Sequence, residues 1–107
     1  LYNNPALAVC TADYLKELLG PSKAFTASAL NAMSGEGKAP KSTGSEDFAY
    51  VSQEVPSIMF ALAAGTPQEG YCYPQHHPKV KFDEAVLSEG CAVYAYTAMR
   101  WLTEHKN

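Results

Sequence analysis

The fold class of this chain depends on one apolar stretch, Ser57-Ile58-Met59-Phe60-Ala61-Leu62. A strand with one wet face alternates apolar and polar side chains, but here both sets of positions are apolar. Such a strand is typical of a sheet that is covered on both sides. The stretch therefore predicts a buried strand and, with helices around it, an α/β protein.

Upstream of this strand, the sequence predicts a first helix over Pro5–Leu19. Asn4 is a favoured N-cap, and Pro5 suits the first helical position. Gly20, followed by Pro21, ends the helix. The apolar positions recur with helical spacing and comprise Leu7, Cys10, Tyr14 and Leu18.

Three further elements complete the predicted order. A weaker strand is predicted over Ala24–Leu30, and a second helix over Glu46–Glu54 with Ser45 as its cap. A long last helix is predicted over Glu84–Glu104, with Asp83 as its N-cap. The order helix-strand-helix-strand-helix indicates α/β layering.

Two strands are too few for an independent sheet that is covered on both faces. Either a larger sheet continues in other parts of the protein, or strands come from another chain. Because the edges of the two predicted strands are open, we expect self-association and a homo-oligomer.

Composition excludes several classes of protein. The 107 residues are 47% apolar and 18% charged, which is ordinary for a globular protein. A net charge of -3 argues against a nucleic-acid partner. No apolar run approaches the ~18 residues of a membrane span, and no signal peptide is expected. Three widely spaced cysteines indicate a reduced compartment, which places the protein in the cytoplasm.

Two loops are predicted, over Ser34–Ser45 and Gly65–Lys81. The second loop carries the adjacent residues His76 and His77, followed by Pro78. If the chain is extended there, the two imidazoles point in opposite directions, so only one of them faces a site. A single histidine cannot hold zinc alone, and a surface pair of histidines is the alternative interpretation.

Acidic residues follow the first of these loops. Glu46 and Asp47 lie in the first turn of the predicted second helix, where negative charge complements the helix dipole. Alternatively, a carboxylate after the turn at Ser45 orients a ligand or a metal-bound histidine. The pattern alone favours the first interpretation.

Taken together, these segments resemble the zinc-dependent aminoacylase and carboxypeptidase family. Within it, they are similar to the branch of hippurate hydrolases, N-acyl amino acid amidohydrolases and auxin-conjugate hydrolases. The matching strings are Gly44-Ser45-Glu46-Asp47-Phe48-Ala49-Tyr50, Val55-Pro56, His76-His77-Pro78 and Phe82-Asp83-Glu84, followed by Leu87, Gly90 and a long final helix.

The resemblance implies a three-layer α/β/α catalytic domain that is interrupted by a smaller lid domain. Residues 1–107 would be the C-terminal part of that catalytic domain, a fragment that follows the lid. The chain opens on Leu1, which fits a continuation from an earlier segment. On its own, such a fragment would be incomplete and inactive.

The resemblance also implies the chemistry. Enzymes of this family hold two divalent metal ions, and zinc is the default, although manganese, cobalt or nickel suits similar ligands. On that match His76 is a metal ligand and His77 fills a variable position, while Ser45, Glu46 and Asp47 line the substrate site. The other ligands and the glutamate base lie in the N-terminal part.

The implied substrates are N-acyl amino acids or small peptides, whose amide bond is hydrolysed. A different class of function stays open beside this one. The chain would then be a non-catalytic α/β module that binds a partner through the loop Tyr71–Pro78.

Overall fold

The computed structural model describes residues 1–35 and 44–106, and these ranges contain four α-helices and two short 3₁₀ turns. The helices are α1 (Pro5–Leu19), α2 (Ala27–Ser34), α3 (Phe48–Glu54) and α4 (Leu87–Glu104), and the 3₁₀ turns are Pro67–Glu69 and Glu84–Val86. Helix α1 packs against α4. None of the helices in these ranges is long and apolar enough to cross a membrane.

Helix α1 has the predicted bounds, and its ends have the predicted chemistry. The Asn4 side-chain oxygen accepts a hydrogen bond from the Leu7 amide at 3.1 Å. Pro5 occupies the start of the helix. At the other end Gly20, at φ 100, donates its amide to the Lys16 carbonyl at 2.9 Å. The observed bounds and caps confirm the predicted helix.

The strand predicted over residues 24–30 is wrong, because α2 begins at Ala27. The Thr26 hydroxyl accepts a hydrogen bond from the Ala29 amide at 3.1 Å and caps the helix. Alanine is the best helix former, so this segment has helical propensity that outweighs its short apolar pattern. Helix α2 ends at Gly35, whose φ of 71 is left-handed. Of the loop predicted over Ser34–Ser45, residues 36–43 lie outside the described part of the chain.

Helix α3 starts at Phe48, later than predicted, and Ser45 is not its cap. Asp47 holds the N-cap position without a side-chain capping bond. Instead, the Glu46 carboxylate accepts a hydrogen bond from the Phe48 amide at 3.2 Å. An acidic side chain thus satisfies a main-chain donor at the start of the helix.

The last helix follows the prediction more closely. The Asp83 carboxylate accepts a hydrogen bond from the Ala85 amide at 3.0 Å, as expected of its cap. The first turn, Glu84–Val86, is 3₁₀, and α4 proper begins at Leu87. A tight first turn of this kind is common at helix ends.

The apolar stretch 57–62 does not form a strand, nor does any other segment of residues 1–35 and 44–106. Its main chain is held instead by a side chain. The Asn3 side-chain nitrogen, Nδ2, donates to the Met59 carbonyl at 3.1 Å, and the Asn3 side-chain oxygen, Oδ1, accepts from the Met59 amide at 2.9 Å. Beside it, the Asn4 amide donates to the Ser57 carbonyl at 2.9 Å.

The Asn3 side-chain amide therefore pairs with both the main-chain carbonyl and the main-chain amide of Met59, as the main chain of a neighbouring strand would. A ladder also needs repeated main-chain hydrogen bonds to a second segment, and among the described residues the bond from Asn4 to Ser57 is the one that this stretch makes. The strand-containing layout of the prediction is not confirmed, and a three-layer α/β/α domain stays a prediction.

The chain leaves much of its surface uncovered. Its accessible surface is 8571 Å², whereas a compact monomer of this mass exposes about 5,800 Å². Its radius of gyration of 15.3 Å exceeds the roughly 13 Å of a compact chain of this length. Along α4, Tyr94 is 73% exposed and Leu102 is 63% exposed. Among the described residues the buried apolar side chains are Ala12, Tyr14, Ala24 and Val93.

A polar cluster joins α1 to α4. Arg100 binds the Glu17 carboxylate through two nitrogens, Nε at 2.9 Å and Nη2 at 3.1 Å. Its Nη2 also lies 3.2 Å from Glu104, and its guanidinium lies 5.0 Å from the centroid of the Tyr14 ring. Tyr96 donates to Glu17 at 2.9 Å, and Tyr14 donates to Glu104. This bidentate hydrogen bonding by Arg100 fixes the relative position of α1 and α4 better than a single ion pair would.

This cluster shifts the ionisation of Glu17. Hydrogen bonds from Arg100 and then from Tyr96 hold the pKa of the Glu17 carboxyl below its ordinary value. A lowered pKa in the folded state means that ionised Glu17 stabilises the fold above the unfolded pKa. That contribution is lost as the pH falls through the lowered value.

Arg100→Gln should lower the melting temperature of the protein, because it removes both bonds to Glu17 and the contact with Glu104. The matched control is Lys16→Gln, since among the described residues Lys16 forms an ion pair only with Asp13 of its own helix, at 3.9 Å, and such exposed pairs contribute little. The melting temperatures of both variants and of the unmodified protein are measured by circular dichroism at neutral pH and in the acid range. The difference between Arg100→Gln and the unmodified protein should narrow as Glu17 becomes protonated. Equal effects of the two substitutions would contradict the role of the cluster.

Candidate functional site

The candidate site lies on the loop between the extended stretch and α4, and this loop is closed at its base. The Asp83 amide donates to the Ala64 carbonyl at 2.9 Å, which ties the two ends of the loop together. The Tyr71 amide donates to the Thr66 carbonyl at 3.1 Å. A Cβ on Gly65 would lie 2.2 Å from the Tyr71 ring, so the ring packs directly on the glycine backbone. The loop is therefore a folded segment with fixed ends.

His76 lies at the tip of a tight turn. The His77 amide donates to the Pro74 carbonyl at 3.1 Å, so Gln75 and His76 are the two central residues. His76 has a φ of 73, the left-handed value that the third position of a type II turn requires. The extended backbone assumed in the sequence prediction is therefore wrong for His76. Within the described residues its exposed imidazole makes no hydrogen bond.

His77 is half-buried and held on two sides. Its ring stacks on Tyr73, with centroids 4.4 Å apart and an interplanar angle of 18°. Its Nδ1 accepts a hydrogen bond from the Lys79 amide at 3.0 Å. Because Nδ1 is the acceptor, the neutral ring carries its proton on Nε2. The two histidines therefore differ, since the His77 ring is held by its neighbours, whereas no residue in the described part of the chain binds the His76 ring.

Ser45, Glu46 and Asp47 are exposed at the start of α3. The prediction that Glu46 and Asp47 lie in the first helical turn is wrong, because α3 begins at Phe48. The Glu46 carboxylate nevertheless accepts a hydrogen bond from the Phe48 amide and so acts at the start of the helix. In the ranges 1–35 and 44–106, no hydrogen bond or ion pair joins these three residues to His76. Their assignment to the substrate site stays a prediction.

A metal centre is not complete in the part of the chain that the structure describes. No group of three His, Cys, Asp or Glu side chains there is close enough to hold an ion. His76 fits the requirement for one nitrogen ligand, because its imidazole is exposed and no described residue binds it. The remaining ligands would have to come from elsewhere in the protein.

Sequence reasoning did not find the residues that shape this loop. Tyr73 supports the His77 ring, and the Lys79 ammonium lies 5.8 Å from the centroid of the Tyr73 ring. The only local signal was the concentration of aromatic and proline residues around the histidines. Spacing alone does not indicate that a tyrosine and a histidine four residues apart stack across a turn.

A protein-family model described as Peptidase family M20/M25/M40 matches residues 14–100. The match therefore extends from within α1 to within α4 and includes the whole candidate site. No solved structure matches the chain significantly.

Several curated proteins match part of the chain. "Probable hydrolase sll0100" of Synechocystis sp. is 35% identical over 60 residues, which are 56% of this chain and 15% of that protein. IAA-amino acid hydrolase ILR1-like 6 of Arabidopsis thaliana is 33% identical over 66 residues, 62% of this chain and 14% of that protein. Thermostable carboxypeptidase 2 of Saccharolobus solfataricus is 34% identical over 58 residues, 54% of this chain and 15% of that protein. The chain thus spans only a small part of the length of these relatives.

Gly65→Ala should destabilise the candidate loop strongly, because the added Cβ meets the Tyr71 ring in addition to the strain at φ 112. Gly70→Ala is the matched control: its φ of 99 is equally unsuitable for alanine, but apart from its chain neighbours no described residue lies within 4 Å of the added Cβ. Thermal melting and amide hydrogen exchange of residues 64–83 measure the difference. Adding Tyr71→Ala to Gly65→Ala should remove the part of the destabilisation that exceeds the effect of Gly70→Ala. A loss no larger at Gly65 than at Gly70 would contradict the packing of Tyr71 on this glycine.

Proposed function

The chain belongs to peptidase family M20/M25/M40, and from this membership we propose that the whole protein is a metal-dependent amide hydrolase. The proposed substrates are N-acyl amino acids or small peptides. The observation that carries the proposal is the family match across residues 14–100. Relatives named as an IAA-amino acid hydrolase and as a carboxypeptidase support substrates that end in an amino acid.

In this proposal the chain forms the C-terminal part of an α/β catalytic domain. Its excess of exposed surface supports this, because apolar side chains such as Tyr94 and Leu102 would be covered by the rest of the domain. The extended stretch 57–62 would then lie between other strands of a sheet. The proposal thus accounts for an apolar stretch that is held here by the Asn3 side chain.

His76 is the proposed metal ligand of this segment. Its exposed imidazole and the tight turn that carries it support the assignment, and Pro74 and Pro78 stiffen the chain on either side. When bound, divalent ions would polarise the amide carbonyl and acidify a water molecule. The proposed order of preference is zinc first, with manganese, cobalt or nickel as alternatives. Ser45, Glu46 and Asp47 are proposed to line the substrate site.

The 107-residue chain by itself should not hydrolyse amides. It offers a single candidate ligand, and its described residues contain no cluster able to hold an ion. The purified chain would be incubated with N-acetyl and N-benzoyl amino acids, with and without added Zn²⁺ or Mn²⁺, and released amine measured. Metal-dependent hydrolysis under these conditions would refute the division of the site between this segment and the rest of the protein.

In the full-length protein, His76→Ala should lower metal affinity and reduce turnover by more than about a hundredfold. Residues that merely orient a metal ligand cost 10–100-fold when they are changed, so loss of the ligand should cost more. His105→Ala is the control, since His105 stacks on Trp101 at the end of α4. Metal content after dialysis and kcat are measured side by side.

Unchanged metal content and turnover in His76→Ala would contradict the ligand assignment. A full-length protein without any metal-dependent amidase activity would instead favour the non-catalytic alternative, in which the loop Tyr71–Pro78 binds a partner. His105→Ala should match the unmodified protein in either case.

A further inference from the structure

His77 belongs to two consecutive turns at once. Its amide donates to the Pro74 carbonyl at 3.1 Å and closes the first turn. Its carbonyl accepts from the Val80 amide at 3.0 Å and closes the second turn. Its Nδ1 accepts from the Lys79 amide at 3.0 Å, inside that second turn. Main chain and side chain of one residue therefore join the two turns.

The ring of His77 is also fixed from the side. It stacks on Tyr73 at a centroid distance of 4.4 Å, and Tyr73 in turn lies 5.8 Å from the Lys79 ammonium. The His77 ring is thus contacted by Tyr73, which precedes the histidine pair, and by the amide of Lys79, which follows it. The stack therefore restricts rotation of the His77 ring away from the Lys79 amide.

His76 needs such support, because its backbone is unfavourable. At φ 73 a residue with a Cβ is strained, and this conformation persists only where its surroundings hold it. His76 lies between the Pro74 carbonyl and the His77 amide, and the hydrogen bond between these two groups closes the turn. Whatever holds His77 therefore also determines the direction in which the His76 imidazole points.

We propose that His77 is a positioning residue, whose Nδ1 acceptor holds the double turn 74–80 and so sets the orientation of His76. The consequence for metal binding rests on the proposed function, in which His76 is the ligand. The conformational part stands on the geometry of the loop alone. The hydrogen bond to the Lys79 amide is the decisive contact, and the stack on Tyr73 is secondary.

Three substitutions in the full-length protein separate these contacts. His77→Asn keeps an acceptor, because an asparagine oxygen can bind the amide two residues further along the chain. His77→Phe keeps a ring to stack on Tyr73 but has no acceptor, and His77→Ala has neither. We expect His77→Asn to behave like the unmodified protein. The Phe and Ala variants should both exchange the Lys79 amide hydrogen faster.

Metal retention is the second readout. Affinity for Zn²⁺, measured by competition with a chelator, should fall about tenfold or more in His77→Ala and His77→Phe, the range found for groups that orient a ligand. It should be close to the unmodified value in His77→Asn. The loss should be smaller than in His76→Ala. Retained affinity in His77→Phe, or a loss in His77→Asn equal to that in His77→Ala, would overturn the proposal.

A spectroscopic measurement needs no destabilising variant. In the unmodified protein, ¹⁵N signals of the histidine rings should show His77 with a proton on Nε2 and none on Nδ1; the signal is assigned by its absence from His77→Asn. A proton on Nδ1 would exclude the bond to Lys79 and overturn the proposal.

The outcomes also separate this proposal from the proposed function. If His76→Ala retains its metal, the ligand assignment fails, while amide exchange and the ring signal still decide the role of His77. If His76→Ala loses metal but His77→Ala binds it normally, the positioning role fails and the ligand assignment stands.

Discussion

The side-chain amide of Asn3 is the contact on which the arrangement of this chain depends. It binds both main-chain groups of Met59 and so holds an apolar extended stretch that has no neighbouring strand among the described residues. The next residue, Asn4, donates to Ser57 and caps α1. One short segment therefore fixes the extended stretch and the start of α1 together. Downstream, the bond between Asp83 and Ala64 fixes the start of the last helical segment relative to the same stretch.

Helices were predictable where their signals are local. The bounds of α1 follow from a cap, a proline and a glycine within the helix's own sequence, and the cap at Asp83 was equally readable. For the segment 24–30, Phe25 and Thr26 favour a strand by residue type, but the Thr26 hydroxyl instead caps a helix. The stretch 57–62 has strand-like composition, but strand pairing depends on a second segment that composition does not identify.

The candidate site was predicted in part, for a similar reason. The loop and its histidine pair could be singled out from residue types and from the resemblance to a family, and the family is now shown. The different environments of His76 and His77 could not, because they arise from a left-handed backbone and from contacts with Tyr73 and Lys79 across a turn. A proline-flanked pair favours a stiff chain, but it does not specify which imidazole is engaged. Ligand geometry is set by backbone torsions that residue type constrains only weakly.

The large exposed surface has a calorimetric consequence for the chain on its own. The heat capacity of unfolding grows with the apolar area that becomes hydrated when a protein unfolds. Here much of that area is already hydrated in the folded chain, whose accessible surface is 8571 Å². The heat-capacity change should therefore lie below the roughly 1.2–1.5 kcal/mol/K of a compact domain of about 100 residues. Its stability would then vary only weakly with temperature, and the dependence on denaturant concentration would be shallow, because both quantities scale with newly exposed surface.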